Sequence, residues 1–140
     1  MEDMGLKEFW KDKRVFITGN TGFKGSWLAT WLSMLGAKTR GYSLEPFENN
    51  SLFSLLDVNN FCPTIIGDIR DADKLSSSIH AFKPEIIFHL AAQPLVQESY
   101  ASPKETYDIN IMGTVNILES SLNCPSVKSF INVTSDKVYE

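Results

Sequence analysis

The chain has 140 residues, 43% hydrophobic and 21% charged, with a net charge of −4, enough for one domain with one core and without the basic stripe that a nucleic-acid partner requires. No apolar run reaches the roughly 20 residues that cross a bilayer, and residues 1–13 mix acids with bases and lack the apolar core of a signal peptide. Cys62 and Cys124 in such a chain read as reduced, buried thiols, and the setting as cytoplasmic.

Strand and helix patterns alternate along the chain. Arg14–Thr18 (RVFIT) is a short β-rich run that ends in glycine punctuation. Ser26–Leu35 has helical spacing, with Trp27 and Trp31 four apart and Leu28 and Leu32 likewise, which assigns both tryptophans to the core or the helix face. Gly36 supplies a stop. Lys38–Leu44 is a weaker strand with Gly41 in its middle. Residues 46–60 are polar and turn-rich around one apolar knot, Leu52, Phe53, Leu55 and Leu56. Thr64–Ile66 is a brief strand, and Asp71–Phe82 a polar, half-buried helix. The IIFHLAA run within Glu85–Ala92 predicts a strand buried on both faces. Tyr107, Ile111, Val115, Leu118 and Leu122, spaced four, four, three and four, predict one long helix from about Pro103 to Leu122. Val127–Thr134 is the fifth strand. This order predicts an α/β, doubly wound Rossmann-type domain, its sheet parallel, with ligands at the carboxyl ends of the strands.

Two motifs fall at such ends. Gly19-Asn20-Thr21-Gly22-Phe23-Lys24-Gly25 spaces three glycines as G-x-x-G-x-x-G between a strand and a helix. Bare glycines admit a diphosphate to the backbone, and free N–H groups at a helix start favour its charge. Gly19, Thr21, Gly22, Phe23, Lys24 and Gly25 are therefore candidate cofactor-binding residues. An acid about 20 residues further on usually takes the ribose hydroxyls and selects NAD, but here the chain reads Arg40-Gly41-Tyr42-Ser43. Arg40 suits a 2′-phosphate and hence NADP, although its mid-strand position assigns its side chain to solvent. Ser43 can bond a ribose hydroxyl instead, and the residues alone leave NAD and NADP open. The second motif is Ser135-Asp136-Lys137, which is either a catalytic cluster or a solvated turn.

TGNTGFKGSWL, Thr18–Leu28, resembles the opening of extended short-chain dehydrogenase/reductases that act on nucleotide sugars, in particular the CDP-D-glucose 4,6-dehydratases. GDIRD (67–71), HLAAQPLV (89–96), SLFSLL (51–56) and Asn110 with MGTV (112–115) agree in order and spacing, so the resemblance runs from about Phe9 to the end. It implies NAD as the cofactor, Asp68 and Ile69 beside adenine, and Leu90, Ala91, Ala92 and Gln93 near the cofactor. Asn110 either packs its helix or orders the catalytic region.

The resemblance also implies a reaction. CDP-D-glucose is oxidised at C4, loses water across C5 and C6, and regains hydride at C6 to give CDP-4-keto-6-deoxy-D-glucose. Ser135 would bond the C4 oxygen. Asp136 would be the acid at the C6 hydroxyl, which requires a raised pKa, and Lys137 the base at C5, which requires a neutral amine. A related epimerase or reductase, or a non-catalytic dinucleotide-binding module, is the alternative. By the same resemblance the intact enzyme is expected to be a homo-oligomer, assembled through helices that include the long one. A Tyr-x-x-x-Lys pair, further strands and a sugar domain are expected beyond the fifth strand. The 140 residues are thus expected to be the N-terminal part of an NAD-binding domain, inactive alone, with an uncovered last strand.

Tyr100 and Lys104 match Tyr-x-x-x-Lys but precede the fifth strand and enclose Pro103, which a helix interior tolerates poorly. Tyr139 has no lysine after it. His80 and His89 are expected to satisfy local hydrogen bonds, and no metal-ligand spacing joins them to the cysteines.

Overall fold

The computed structural model describes residues 2–135. Five strands, β1 (Arg14–Thr18), β2 (Lys38–Ser43), β3 (Thr64–Ile66), β4 (Ile86–His89) and β5 (Ser129–Asn132), form one parallel sheet in the order β3-β2-β1-β4-β5. The helices are α1 (Glu2–Trp10), α2 (Phe23–Met34), α3 (Leu52–Leu55), α4 (Val58–Phe61), α5 (Ala72–Phe82), α6 (Val96–Ala101), α7 (Pro103–Tyr107) and α8 (Gly113–Leu122). None among the described residues is long and apolar enough to cross a membrane.

Period-two alternation divides each strand between two cores. On one face Phe16, Tyr42 and Ile87 pack with Leu75 and Ile79 of α5 and Ile117 of α8. On the other, Val15, Ile17 and Ile86 pack with Ala29 and Leu32 of α2 and with Val58 and Cys62. β1 is buried on both faces because it lies at the centre, as the continuous run VFIT demands. From β1 the chain builds outward to β2 and β3, then returns through α5 to β4 on the other side. The order reverses between β1 and β4, the point at which sheets of this kind hold their ligands.

α1 was not legible in the sequence. It places Trp10 against the core beside Phe88, ring centroids 6.4 Å apart. α2 starts three residues earlier than its apolar spacing indicates, because Gly22 is extended (φ −77°, ψ 170°) and serves as N-cap. The apolar knot of residues 52–56 is largely α3, started by Ser51 accepting the Ser54 N–H.

The long helix runs unbroken from Pro103 to Leu122 as expected, but its middle is π-helical. α7 passes into a π-helical turn, Asp108–Met112, and only then into α8. The apolar stripe that announced it faces outward. Tyr107, Ile111, Val115, Leu118 and Leu122 are 65, 49, 44, 41 and 87% exposed. The buried face is instead Gly113, Ile117, Ser120 and Ser121, with glycine at 113 because the backbone approaches closely there. A Cβ on Gly113 would lie 2.4 Å from Ile69 Cδ1. Trp27 and Trp31 likewise lie on the outer face of α2, about half exposed, while Ala29 and Leu32 fill the core. Cys62 and Cys124 are buried and unpaired.

Candidate cofactor site

The glycine loop leaves the centre of the sheet with Gly19 at φ +74°, in the left-handed region that glycine favours. A Cβ on Gly19 would lie 2.8 Å from Ala91 N, and one on Gly25 would lie 2.2 Å from the Gly19 carbonyl oxygen. Loop, helix start and the segment after β4 therefore meet backbone to backbone. Ser26 Oγ donates to the Asn20 carbonyl (3.0 Å), and Asn20, wholly buried, donates to Thr64 Oγ1 (2.7 Å), anchoring the loop to β3. No side chain caps α2 and no acid stands in its first turn, so its leading N–H groups have no side-chain acceptor and suit an anion.

The other rim lies at the ends of β2 and β3. Thr21 Oγ1 and Ser43 Oγ are 2.7 Å apart, and Thr21 donates to the Leu44 carbonyl. Ser43 is buried in this pair. Arg40 does not face solvent as expected. It projects onto the α5 face, its guanidinium 5.3 Å from the Phe82 ring centroid, with Nε buried and without a hydrogen-bond partner. It sits mid-strand, away from the end of β2 where a ribose phosphate would lie.

Asp68 is held by Arg70, whose Nε and Nη2 donate to its carboxylate at 3.0 and 2.6 Å, while Nη1 reaches Glu105 at 3.2 Å. These bonds hold the Asp68 carboxyl below its ordinary value despite partial burial. Ile69 is 5% exposed and packs on Gly113, so its side chain belongs to the core. Tyr42 stacks under Gly67 and donates to the Asp68 carbonyl at 3.0 Å. Burial first, then Asp71 and Asp68, pushes its hydroxyl up to about 12, so it stays protonated and a donor.

Beyond β4, Leu90, Ala91, Ala92 and Gln93 run beside the glycine loop. Asn110, in the π turn, clasps Gln93. Its Oδ1 accepts the Gln93 N–H (2.8 Å) and its Nδ2 donates to the Gln93 carbonyl (3.1 Å). His89 lies buried between Thr18 and Thr114, and burial pushes its imidazole down to about 4. His80 bonds the Ser76 and Asn123 carbonyls, so both histidines satisfy local bonds. Among the described residues no group of acids, histidines and cysteines could hold a metal.

Phe23 and Lys24 are exposed at the start of α2, and Ser135 is exposed just beyond β5. Asp136, Lys137 and Tyr139 lie outside the described residues. Tyr100 and Lys104 fall on separate helices, α6 and α7, broken at Ser102. Thr18, Tyr42 and Thr114 escaped the sequence reading, since nothing in composition shows which hydroxyls support a loop.

Fold and glycine loop define a Rossmann-type domain. The family whose sequence profile matches residues 16–139 is described as GDP-mannose 4,6 dehydratase. CDP-glucose 4,6-dehydratase of Salmonella typhimurium is 53% identical over 134 residues, 96% of this chain and 37% of that protein. The epimerase Mth375 of Methanothermobacter thermautotrophicus superposes with a TM-score of 0.83 at 24% identity, over 97% of this chain and 39% of that one. The UDP-glucose 4-epimerase of Thermus thermophilus, in complex with NAD, does so with a TM-score of 0.73 at 26% identity, over 83% of this chain and 36% of its own. The chain belongs to the GDP-mannose 4,6-dehydratase family and spans little more than a third of the length of these relatives.

Proposed function

We propose that this chain forms the NAD-binding part of a CDP-glucose 4,6-dehydratase. The observation that carries the reading is the uncapped start of α2 beneath a loop whose glycines admit no side chain, at the reversal point of the sheet. These features fit a dinucleotide. The N–H groups at Phe23, Lys24 and Gly25 would hold its diphosphate, Thr21 and Ser43 would face the ribose, and Asp68 with the Ile69 N–H would take the adenine edge. The likeness to an NAD-bound epimerase, together with the place of Arg40 on Phe82, favours NAD over NADP.

The chemistry that bound NAD supplies is uptake of hydride from C4 of the sugar and its return at C6. Ser135 would donate to the C4 oxygen while a base of the whole enzyme takes the C4 hydroxyl proton, Lys137 would take the C5 proton that oxidation at C4 makes acidic and give it back to C5 as hydride reaches C6, and Asp136 would give a proton to the departing C6 hydroxyl. The outward stripe of α7 and α8 fits self-association of the whole enzyme.

Calorimetric titration of the chain should show NAD+ bound more tightly than NADP+. The whole protein, given CDP-glucose, should form a keto sugar visible by its absorbance in base. Formation of a C4 epimer without loss of water would mark an epimerase instead. In the whole protein Lys137→Met should stop solvent exchange at C5 and leave NAD+ affinity unchanged; continued exchange removes Lys137 from the base role.

A further inference from the structure

Thr18, His89, Thr114 and Asn110 form a continuous hydrogen-bonded chain that the proposed chemistry does not use. The Asn110 carbonyl at its far end orients its protons. Thr18 Oγ1 has one hydrogen and two lone pairs. The Ala91 N–H, at 3.2 Å, takes one lone pair, and the Leu90 N–H, 3.2 Å from both Thr18 Oγ1 and the Thr18 carbonyl, is shared between the two. His89 Nδ1 lies 2.7 Å from Thr18 Oγ1. At the far end Thr114 Oγ1 lies 2.7 Å from the Asn110 carbonyl, which can only accept, so the Thr114 hydrogen is spent there. His89 Nε2, 3.0 Å from Thr114 Oγ1, must then donate. The buried ring is neutral at pH 7, so with its hydrogen on Nε2 it is bare at Nδ1 and accepts the Thr18 hydroxyl.

The chain joins the two holders of the Leu90–Gln93 segment. Thr18, at the end of β1, accepts from its first two amides, and Asn110 clasps its last residue. The π turn, a geometry that recurs at functional sites, carries Asn110 and is followed directly by α8, which carries Thr114. The segment abuts Gly19, where a Cβ would strike Ala91.

We propose that His89 is a positioning residue which, as the Nε2–H tautomer, sets the separation between β1 and the π turn and thereby holds Leu90–Gln93 beside the glycine loop. The inference rests on the dinucleotide reading above only for the ligand that the segment borders, and the network stands apart from it.

Two measurements on the 140-residue chain test it. Ring nitrogen correlation spectra at pH 7 are expected to show His89 protonated at Nε2 and bare at Nδ1. Thr114→Val is expected to speed amide exchange at Ala91 and Gln93 about tenfold and to weaken NAD+ binding by a similar factor, with Thr114→Ser restoring both to within about twofold. A proton on Nδ1, or a folded Thr114→Val chain with wild-type exchange at both amides, overturns the assignment. Should the wild-type chain take up no NAD+ while tautomer and exchange behave as expected, the positioning role holds and the cofactor reading falls.

Discussion

At Gly25 an added methyl would lie 2.2 Å from the Gly19 carbonyl oxygen and 2.7 Å from Asn20 Cα. Both are backbone, so nothing nearby can yield cheaply. Gly25→Ala should cost about 2 kcal/mol in urea unfolding and abolish measurable NAD+ binding. Gly22 has φ −77° and meets only the Gly19 oxygen, at 3.4 Å. Gly22→Ala should therefore cost about 1 kcal/mol or less, the usual loss at an N-cap. Equal costs would contradict the packing described. The spacing of these glycines was legible from the sequence, but which of them is immovable was not, because that depends on contacts across the turn. His89 makes a pH prediction. Its folded value of about 4 lies below the ordinary 6.5, so the unfolded chain binds the extra proton between those limits and stability falls as pH drops through them. Unfolding at pH 5 should show about 2 kcal/mol less stability from this group than at pH 7. A folded His89→Gln variant should show a slope flatter by that amount, and an unchanged slope would refute the linkage.

The segment after β4 shows how a helix can be legible while its orientation is not. Tyr107, Ile111, Val115, Leu118 and Leu122 carry the helical period, yet they are the exposed face. Gly113, Ser120 and Ser121, which read as polar or neutral, form the buried one because α8 presses on Ile69 and α5. Hydrophobic periodicity reports that a helix has an apolar side and leaves open what covers it. The expected consequence is an inversion of the usual rule. Leu122→Gln should move stability by no more than about 0.5 kcal/mol, whereas Ile117→Ala should cost about 3 kcal/mol, both measured by urea titration. The π turn left no trace in composition, since its i→i+5 bonds are made by ordinary residues. α3 and α4 were hidden for a different reason, because four residues are too few to show a period.

Across the whole molecule, the alternation of strand and helix specified the class of fold, and right-handed crossovers limited the strand order. The supports of the candidate site, such as Thr18 bonding His89 and Arg70 bonding Glu105, join residues 71 and 35 positions apart, and local pattern carries no information about them. Because the candidate site is built from three chain segments that meet only in the folded state, its ligand should stabilise the domain as a unit. At NAD+ one hundred times the dissociation constant, mass action gives about 2.7 kcal/mol, or roughly 8 °C in the melting midpoint of a domain this size. A midpoint indifferent to NAD+ would argue against the site. With Gly19 and Gly25 wedged into neighbouring backbone, anyone re-engineering nucleotide preference must leave that bank untouched. The opposite bank is open to change, for Leu44 and Glu45 stand exposed past β2, and a new side chain there disturbs no packing.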